Sequence, residues 1–212
     1  MAMERSEDFK PTDMARLSYA GSLFKARAGE DGGKEKFGCT LIWPKTAAAS
    51  RRRMEQVVAD LIVKQWGPAA IEQAKAGLIK LPFLDGNGKE ARSKKTGELH
   101  VGMGPDVWFV RPTANADHPP AVIWRDSNKQ ETEATVYSGC HGKPVLNAFC
   151  WENVKNGRGV SFGIQMFQKL EEGKRLGGSG GVDTEKWAES VADEGPGPET
   201  TQNGAGAAGL FG

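Results

Sequence analysis

The sequence predicts a mainly β domain with a helical segment inserted between its early and late strands. Stretches such as KFGCTLIWPK (36–45) alternate two faces, as half-buried strands do. Apolar residues at 54–62 instead recur at helical spacing. The 212 residues, 38% hydrophobic and 26% charged, suffice for one globular domain with extensions.

The first predicted elements are an arm, a strand and a loop. Residues 1–13 form a flexible arm, and MARLSYAGSLF (14–24) forms a strand with Leu17 and Tyr19 on one face. The Gly-rich, charged stretch 27–36 is a loop. Pro44 ends the next strand, because proline cannot donate to a ladder. The residues of that strand that share a face are Phe37, Cys39, Leu41 and Trp43.

A helix follows, and Thr46 or Ser50 is placed to cap it. The triple RRR (51–53) lies in its first turn, where the helix dipole disfavours cations, so surface charge is the simplest explanation. Gly67-Pro68 breaks the helix, and a second one runs to about Lys75 with Gly77 as its stop. The apolar face of the first helix consists of Met54, Val57, Val58, Leu61 and Ile62.

Residues 85–106 predict a long, polar and basic loop, and such loops are usually functional or disordered. Two short strands follow, VWFVRP and AVIWR.

The stretch NAFCWENVKNGRGVSFGIQMF (147–167) predicts a hairpin around a two-residue Asn156-Gly157 turn. In that register Trp151 faces Phe162, and Phe149 and Trp151 lie on an almost wholly apolar face. We expect this face to lie in the interior of a barrel. The alternative is an exposed surface on which bases stack. Small residues on the other face would let a backbone approach closely.

Charge is distributed unevenly along the chain. Residues 182–212 contain six acidic residues and one lysine, a net charge of −5, which leaves +6 for residues 1–181 within a total of +1. A basic body with an acidic tail is a sign of nucleic-acid interaction, although a merely solvated tail has the same composition. The Gly-, Pro- and acid-rich composition predicts that the tail is disordered.

The sequence offers little for catalysis or metal binding. It contains no nucleophile elbow, P-loop or dinucleotide fingerprint. Three widely spaced cysteines make neither a disulfide framework nor the close pairs of structural zinc, so no cofactor and no metal are expected. Without a signal sequence or an apolar run of membrane length, a cytoplasmic setting is predicted.

Six tryptophans, several with a cation nearby, are typical of proteins that bind single strands through cationic grooves and aromatic stacking. A five-stranded Greek-key oligonucleotide-binding (OB) barrel over residues 14–181 fits the strand pattern. For each tryptophan taken singly, packing in the core is the alternative.

The stretches ARLSYAGSLF, KFGCTLIWPK and VYSGCHGKPVLNAFCWENVKNGRGVSFGIQMFQKLEEGKRLGG, with the acidic tail after them, resemble a family of phage single-stranded-DNA-binding proteins. The resemblance covers about residues 14–181. It implies an OB barrel similar to that of short-tailed-phage replication proteins, sequence-tolerant DNA binding in replication, recombination or repair, and no catalysis. It also implies that the tail contacts replication or recombination proteins, through Asp193, Glu194, Leu210 and Phe211.

The expected partner is single-stranded DNA, with a homodimer left open. The rival hypotheses are a recruitment module that acts through the tail, with DNA binding secondary, and a metal-dependent nuclease. The residues predicted to contact phosphates are Lys25, Arg27, Lys36, Lys45, Arg111, Arg125, Lys143, Lys155 and Arg158. Those predicted to stack bases are Tyr19, Phe24, Trp43, Trp108, Trp124 and Tyr137.

Overall fold

The computed structural model describes residues 3–28 and 33–177, and the acidic tail lies outside them. Two helices and a series of strands make up the regular structure of the described residues. The helices are α1 (Ala48–Trp66) and α2 (Ala70–Lys75). The early strands are β1 (Ala15–Ser18), β2 (Lys36–Gly38), β3 (Thr40–Pro44), β4 (Ile79–Lys80) and β5 (Leu84–Asp85). The late strands are β6 (Val107–Val110), β7 (Thr113–Asn115), β8 (Ala121–Trp124), β9 (Asp126–Gln130), β10 (His141–Asn153) and β11 (Gly157–Glu171).

The mainly β architecture is confirmed, but the described sheet is larger than a five-stranded barrel. Eight of its eleven strands follow the order β2-β7-β11-β10-β1-β3-β6-β5, while β4 and β8 pair with β11 and β9 pairs with β8. The two ends of this path do not pair with each other, so the sheet is not closed. Several of the added strands have only two or three residues, which is too short for a periodicity of two to reveal them.

The prediction of the two helices is confirmed, but that of the cap is wrong. Neither Thr46 nor Ser50 caps α1 through its side chain. Asp13, remote in sequence, accepts hydrogen bonds from the Ser50 backbone N–H at 3.2 Å and from its hydroxyl at 2.8 Å. This contact satisfies a helix N–H that has no partner within the helix.

The strand predicted for residues 14–24 ends early. β1 stops at Ser18, and Tyr19 takes a left-handed conformation with φ +58° before a 3₁₀ helix at Ala20–Leu23. The Tyr19 carbonyl accepts the N–H of Ser22, so the chain turns here instead of extending. Leu17 is therefore buried and Tyr19 is 49% exposed, and the two do not share a face.

Part of the predicted flexible arm is hydrogen-bonded to β10. The N–H of Ser6 donates to the Ala148 carbonyl at 2.8 Å, and Phe9 and Leu146 exchange two backbone hydrogen bonds. Phe9 is 6% exposed and packs edge-on against Phe162. This segment therefore adds an irregular strand to β10, a pairing between distant residues that local composition does not reveal.

The β10–β11 hairpin has a different register from the one that its Asn-Gly pair predicts. Asn153 pairs with Gly157, so three residues connect the strands, and Trp151 lies opposite Gly159 instead of Phe162. Cross-strand partners share a face of the sheet, so this odd shift exchanges the two faces of β10.

A side-chain turn explains the longer connection. The Asn153 Oδ1 accepts the backbone N–H of Lys155 at 2.8 Å and that of Asn156 at 3.2 Å. Gly157 follows with φ +75°, in the left-handed region that favours glycine. An asparagine turn closed by a left-handed glycine is a frequent three-residue hairpin loop.

The interior of the sheet holds the main core. Of the four residues predicted to share a face, Cys39, Leu41 and Trp43 are buried in this core, whereas Phe37 lies in the separate strand β2 and is only partly buried. On β11 the apolar face of the predicted hairpin, which consists of Val160, Phe162 and Ile164, is buried as expected. On β10 the prediction is wrong, because Leu146, Ala148 and Cys150 occupy the core in place of Phe149 and Trp151.

A second, smaller core lies on the opposite face of β3 and β6. Ile42 and Phe109 pack there with Ala91 and Leu176, and Leu99 packs against them. The predicted long loop (85–106) therefore contributes buried apolar residues to the fold. Its few apolar side chains lack periodicity, so the sequence pattern does not show this role.

Candidate nucleic-acid interface

An aromatic surface lies on the outer face of β10 and β11. Trp151 of β10 pairs with Gly159 of β11, which pairs in turn with Lys80 of β4. The three positions form one cross-strand row with a cation at its edge. The Lys80 ammonium lies 5.9 Å from the Trp151 ring centroid, within the range of a cation–π contact.

The Trp151 indole is held against the sheet. A Cβ placed on Gly159 would lie 2.6 Å from the indole Cζ2, so this ring can occupy its position only because residue 159 has no side chain. The indole Nε1–H also donates to the Ser161 hydroxyl at 3.0 Å. Two independent contacts therefore fix the orientation of the ring.

A second row runs beside the first. Phe149 pairs with Ser161 on β11 and with Arg5 on the other side, and the Arg5 guanidinium lies 5.7 Å from the Phe149 ring centroid. Alternate residues of a strand are about 7 Å apart. We call Phe149, Trp151, Arg5 and Lys80 the aromatic platform: two partly exposed rings with a cation beside each.

Two predicted stacking residues are placed in the core. Trp43 is fully buried, and Trp108 is 4% exposed. Their rings stack on each other, with centroids 4.7 Å apart and planes 12° apart, and the Trp43 Nε1–H donates to the Asp13 carbonyl. Each ring is covered by the other and by the core, which leaves neither of these predicted residues an open face for a base.

Trp124 and Tyr137 form another cluster around a buried lysine. Lys169 is 1% exposed, and its ammonium lies 4.2 Å from the Trp124 ring centroid and 4.9 Å from that of Tyr137. It donates to the Thr135 carbonyl and to the Glu172 carboxylate. These hydrogen bonds hold the pKa of Glu172 below its usual range, first through Lys169 and then through the Tyr137 hydroxyl. With its donors engaged within the protein, this lysine ties strand β11 to the segment before β10.

The remaining predicted aromatic residues lie apart from the platform. Tyr19 is exposed and contacts His100, with 3.4 Å between its hydroxyl and the imidazole Nδ1. Phe24 is partly buried against the main core.

Several predicted phosphate contacts have partners within the protein. Lys45 forms a salt bridge of 2.9 Å with Asp85. The Arg111 side chain donates to the Glu90 carbonyl at 2.6 Å. Arg125 donates through Nε to the Leu170 carbonyl at 2.9 Å.

Arg158 is directed toward the helices. It donates to the Gln73 side chain, and its guanidinium lies 5.4 Å from the centroid of the Trp66 ring. Lys155, at the hairpin loop, is exposed.

The predicted cations do not form one surface. Arg27 and Lys36 are exposed and exchange two backbone hydrogen bonds of 2.9 Å, and Lys25 is exposed nearby in the chain. Lys143 lies partly buried on β10. The predicted tail contacts Asp193, Glu194, Leu210 and Phe211 lie outside the described residues.

The sequence kept Phe149 and Trp151 only as the alternative to a core position, and it did not indicate Arg5 or Lys80. The hairpin register predicted from Asn156-Gly157 places the two rings in the core, and nothing local indicates that Arg5 or Lys80 lies beside them. A usable signal was present in β11. Small residues alternate at Gly159, Ser161 and Gly163, which marks a face on which the partner strand can hold large rings.

No group of histidine, cysteine or acidic side chains within residues 3–28 and 33–177 is arranged to hold a metal ion. The cysteines Cys39, Cys140 and Cys150 are buried as free thiols. Neither helix has the length and apolar character needed to cross a membrane.

Comparison with known proteins identifies the family of this chain and solved structures with a similar fold. A family model described as Enterobacter phage Enc34, ssDNA-binding protein, matches residues 11–195. The structure of the single-stranded DNA-binding protein from bacteriophage Enc34 in complex with ssDNA aligns with a TM-score of 0.55 and 20% identity, over 80% of this chain and 88% of that chain. Another structure of that phage protein aligns with a TM-score of 0.53 and 18% identity, over 86% and 89% of the two chains. No curated protein sequence matches.

Proposed function

Since the chain belongs to the family of the Enterobacter phage Enc34 ssDNA-binding protein, we propose that it binds single-stranded DNA without reading its sequence. The family match over residues 11–195 is the observation that carries this proposal. The further proposal, which the match supports, is a role in phage DNA replication, recombination or repair, without catalysis and in the cytoplasm of the infected cell.

The aromatic platform is the proposed interface. Stacking on aromatic side chains tolerates any sequence, because every base has a π-face, and each stacked base is worth about 1–3 kcal/mol. Phe149 and Trp151 offer two rings at neighbouring positions, and Arg5 and Lys80 are cations beside these rings that can neutralise phosphates. The sequence left open whether these rings lie in the core or on the surface, and their partly exposed positions support DNA binding.

The OB fold is part of the proposal. Five strands run consecutively in the path β11-β10-β1-β3-β6, and every pair of neighbours among them is antiparallel. Beyond them β11 continues in parallel with β7 and β8. A partly open five-stranded barrel enlarged by short strands accounts for this order.

A titration of 3′-fluorescein oligo-dT, followed by anisotropy at two salt concentrations, tests the function. We expect tight binding that weakens with salt, because cations that neutralise phosphates release counterions. Failure of the wild-type protein to bind at low salt would refute the proposed function.

Variants test the interface separately. Trp151→Leu should weaken binding about tenfold, and Trp151→Phe should weaken it less because it keeps an aromatic face. Lys80→Ala should lower the slope of log K against log salt by about 0.7, the value for one phosphate contact on a single strand. Lys75→Ala is the matched control, since Lys75 is an exposed lysine paired with Glu72. Normal binding by Trp151→Leu would place DNA elsewhere on the protein.

The tail is proposed to contact replication or recombination proteins through Asp193, Glu194, Leu210 and Phe211. Deleting residues 182–212 should abolish capture of such a partner. Tighter DNA binding after the deletion would indicate that the acidic tail also competes with DNA. A homodimer, which the sequence left open, is tested by light scattering during gel filtration.

A further inference from the structure

A cleft of about 430 Å³ opens beside the first half of α1, within the range of small-ligand sites. It shares no residue with the aromatic platform. We call it the α1 cleft and define it by Lys45, Arg51, Arg52, Phe83, Asp85 and Trp108.

We propose that the α1 cleft binds the phosphomonoester group of a nucleotide. This inference rests on the proposed function, because it adds a site for a strand end or a free nucleotide to a protein that binds DNA along its length.

Contacts within the protein already hold the Arg51 side chain in an orientation that suits such a ligand. Its guanidinium lies 4.1 Å from the Phe83 ring centroid and 5.2 Å from that of Trp108, and its Nε–H donates to Glu55 at 2.6 Å. Among the described residues, no acceptor pairs with its two terminal amino groups. A guanidinium fixed on one face and one edge can present the other edge to two phosphate oxygens.

Lys45 supplies a second cation that is paired but accessible. Its salt bridge to Asp85 joins side chains that are 49% and 54% exposed, and exposed pairs of this kind are weak. The backbone N–H of Asn87, and then Lys45, hold the pKa of Asp85 below its usual range, so Asp85 is ionised at neutral pH. An incoming phosphate can therefore exchange with this carboxylate as the partner of Lys45.

The charge of the lining favours a doubly charged group. Within the lining, Lys45, Arg51 and Arg52 contribute three positive charges and Asp85 one negative charge, a net charge of +2, and the Glu55 carboxylate that pairs with Arg51 lies outside the lining. A phosphomonoester carries about −1.5 to −2 at pH 7, whereas a phosphate inside a DNA strand carries one charge. The cleft thus matches the end of a strand better than its interior.

The apolar wall suits the remainder of a nucleotide. Phe83 is partly exposed and lies edge-on to Trp108, with 6.2 Å between their ring centroids. The Trp108 Nε1–H is buried and has no hydrogen-bond partner among the described residues. A sugar or base can pack on the exposed part of Phe83 while the phosphate meets the arginines.

The test compares dT12 carrying a 5′-phosphate, a 3′-phosphate or only hydroxyl ends, by competition against labelled dT12. We expect at least one phosphorylated oligonucleotide to bind about fivefold more tightly than the hydroxyl form. That ratio corresponds to one further unit charge about 4 Å away in a water-like dielectric. A ³¹P NMR titration with dTMP tests the free nucleotide.

Neighbouring arginines supply the matched control. Arg52→Gln should abolish the gain from the phosphate, whereas Arg53→Gln should keep it. Arg53 lines a different pocket and donates to the Lys10 carbonyl. Tighter binding of a phosphorylated oligonucleotide assigns the cleft to strand ends. If only the ³¹P signal of dTMP shifts, and Arg52→Gln removes that shift, the cleft is assigned to free nucleotides.

The inference is overturned if neither ligand responds, or if Arg52→Gln leaves the response unchanged. Binding of the hydroxyl dT12 is read in the same experiment. If the hydroxyl dT12 does not bind, the proposed function is refuted. If it binds and a phosphate has no effect, only the proposed ligand of the α1 cleft is refuted.

Discussion

Gly159 controls the position of the Trp151 indole, and replacing it with alanine tests the platform. The new Cβ would lie 2.6 Å from the indole Cζ2, 2.7 Å from the Lys80 carbonyl oxygen and 2.9 Å from the Lys80 Cβ. The carbonyl belongs to the β4–β11 pairing, so the backbone on that side cannot yield cheaply. The indole is the more mobile neighbour and should be displaced from the sheet.

Overpacking of this kind costs about 1–3 kcal/mol of stability. Replacing glycine with alanine offsets about 0.4–1 kcal/mol of this cost, because it lowers the conformational entropy of the unfolded chain. We therefore expect Gly159→Ala to lower the free energy of unfolding by about 1–2 kcal/mol in a urea titration. If the displaced indole loses its stacked base, binding of oligo-dT should weaken by about 1–3 kcal/mol, or roughly five- to a hundredfold.

Gly163→Ala is the control for stability, because Gly163 lies on the same face of the same strand. Its Cβ would approach the end of the Asn147 side chain most closely, and the next atom is 3.4 Å away. The end of the Asn147 side chain can rotate at the cost of its hydrogen bond to Asp8, which is less than the cost of moving backbone, so this variant should be destabilised less than Gly159→Ala. Equal or greater destabilisation would refute the clash argument. Unchanged DNA binding by Gly159→Ala would refute the role of a fixed indole.

Four further predictions concern the stability and reactivity of the fold. Asp13→Ala should lower the free energy of unfolding by about 1 kcal/mol in urea, because α1 loses its cap. Lys169→Met should cost about 1.5–3 kcal/mol in the same assay, the value of hydrogen bonds to a charged group. The pKa of Glu172 is lowered by folding, so its stabilisation is present above its ordinary pKa of 4.5 and is lost as the pH falls through the folded pKa; Glu172→Gln should flatten the dependence of stability on pH in this range. Burial raises the pKa of the Cys150 thiol to about 11, so a thiol reagent at pH 8 should modify it in urea but not in the native protein.

Local patterns predicted the elements whose apolar residues repeat regularly along one face. Helix α1 was predictable because its apolar residues repeat at helical spacing over several turns, and β3 because Leu41 and Trp43 alternate with polar or oppositely directed neighbours. The contacts that complete these elements join distant residues. The cap of α1 by Asp13 spans 37 positions, and the Ser6–Ala148 contact spans 142.

The candidate sites were less predictable for the same reason. In the sequence, Arg51 is only a cation at the unfavourable end of a helix, and the rings of Phe83 and Trp108 that it contacts belong to other elements. An unfavourable position in one element is therefore a reason to look for a partner in another. Tryptophan content alone misleads, since Trp43 and Trp108 supply core volume and not a binding surface.

The hairpin shows which local signal decides between core and surface. Asn-Gly suits a two-residue turn, but Asn153 three residues earlier can close a longer one with its side chain, so the pair alone does not fix the register. The strands carry a second signal, because glycine and serine alternate at 159 and 161 while aromatic rings alternate at 149 and 151. A ring that lies across a glycine on the neighbouring strand covers backbone that no side chain would shield, and it gains contact area in doing so. Only the three-residue loop brings those rings and small residues opposite each other, and it leaves the outer side of each ring uncovered by its partner. The pairing of large with small residues therefore predicts both the register and the exposed platform, which the Asn-Gly turn does not.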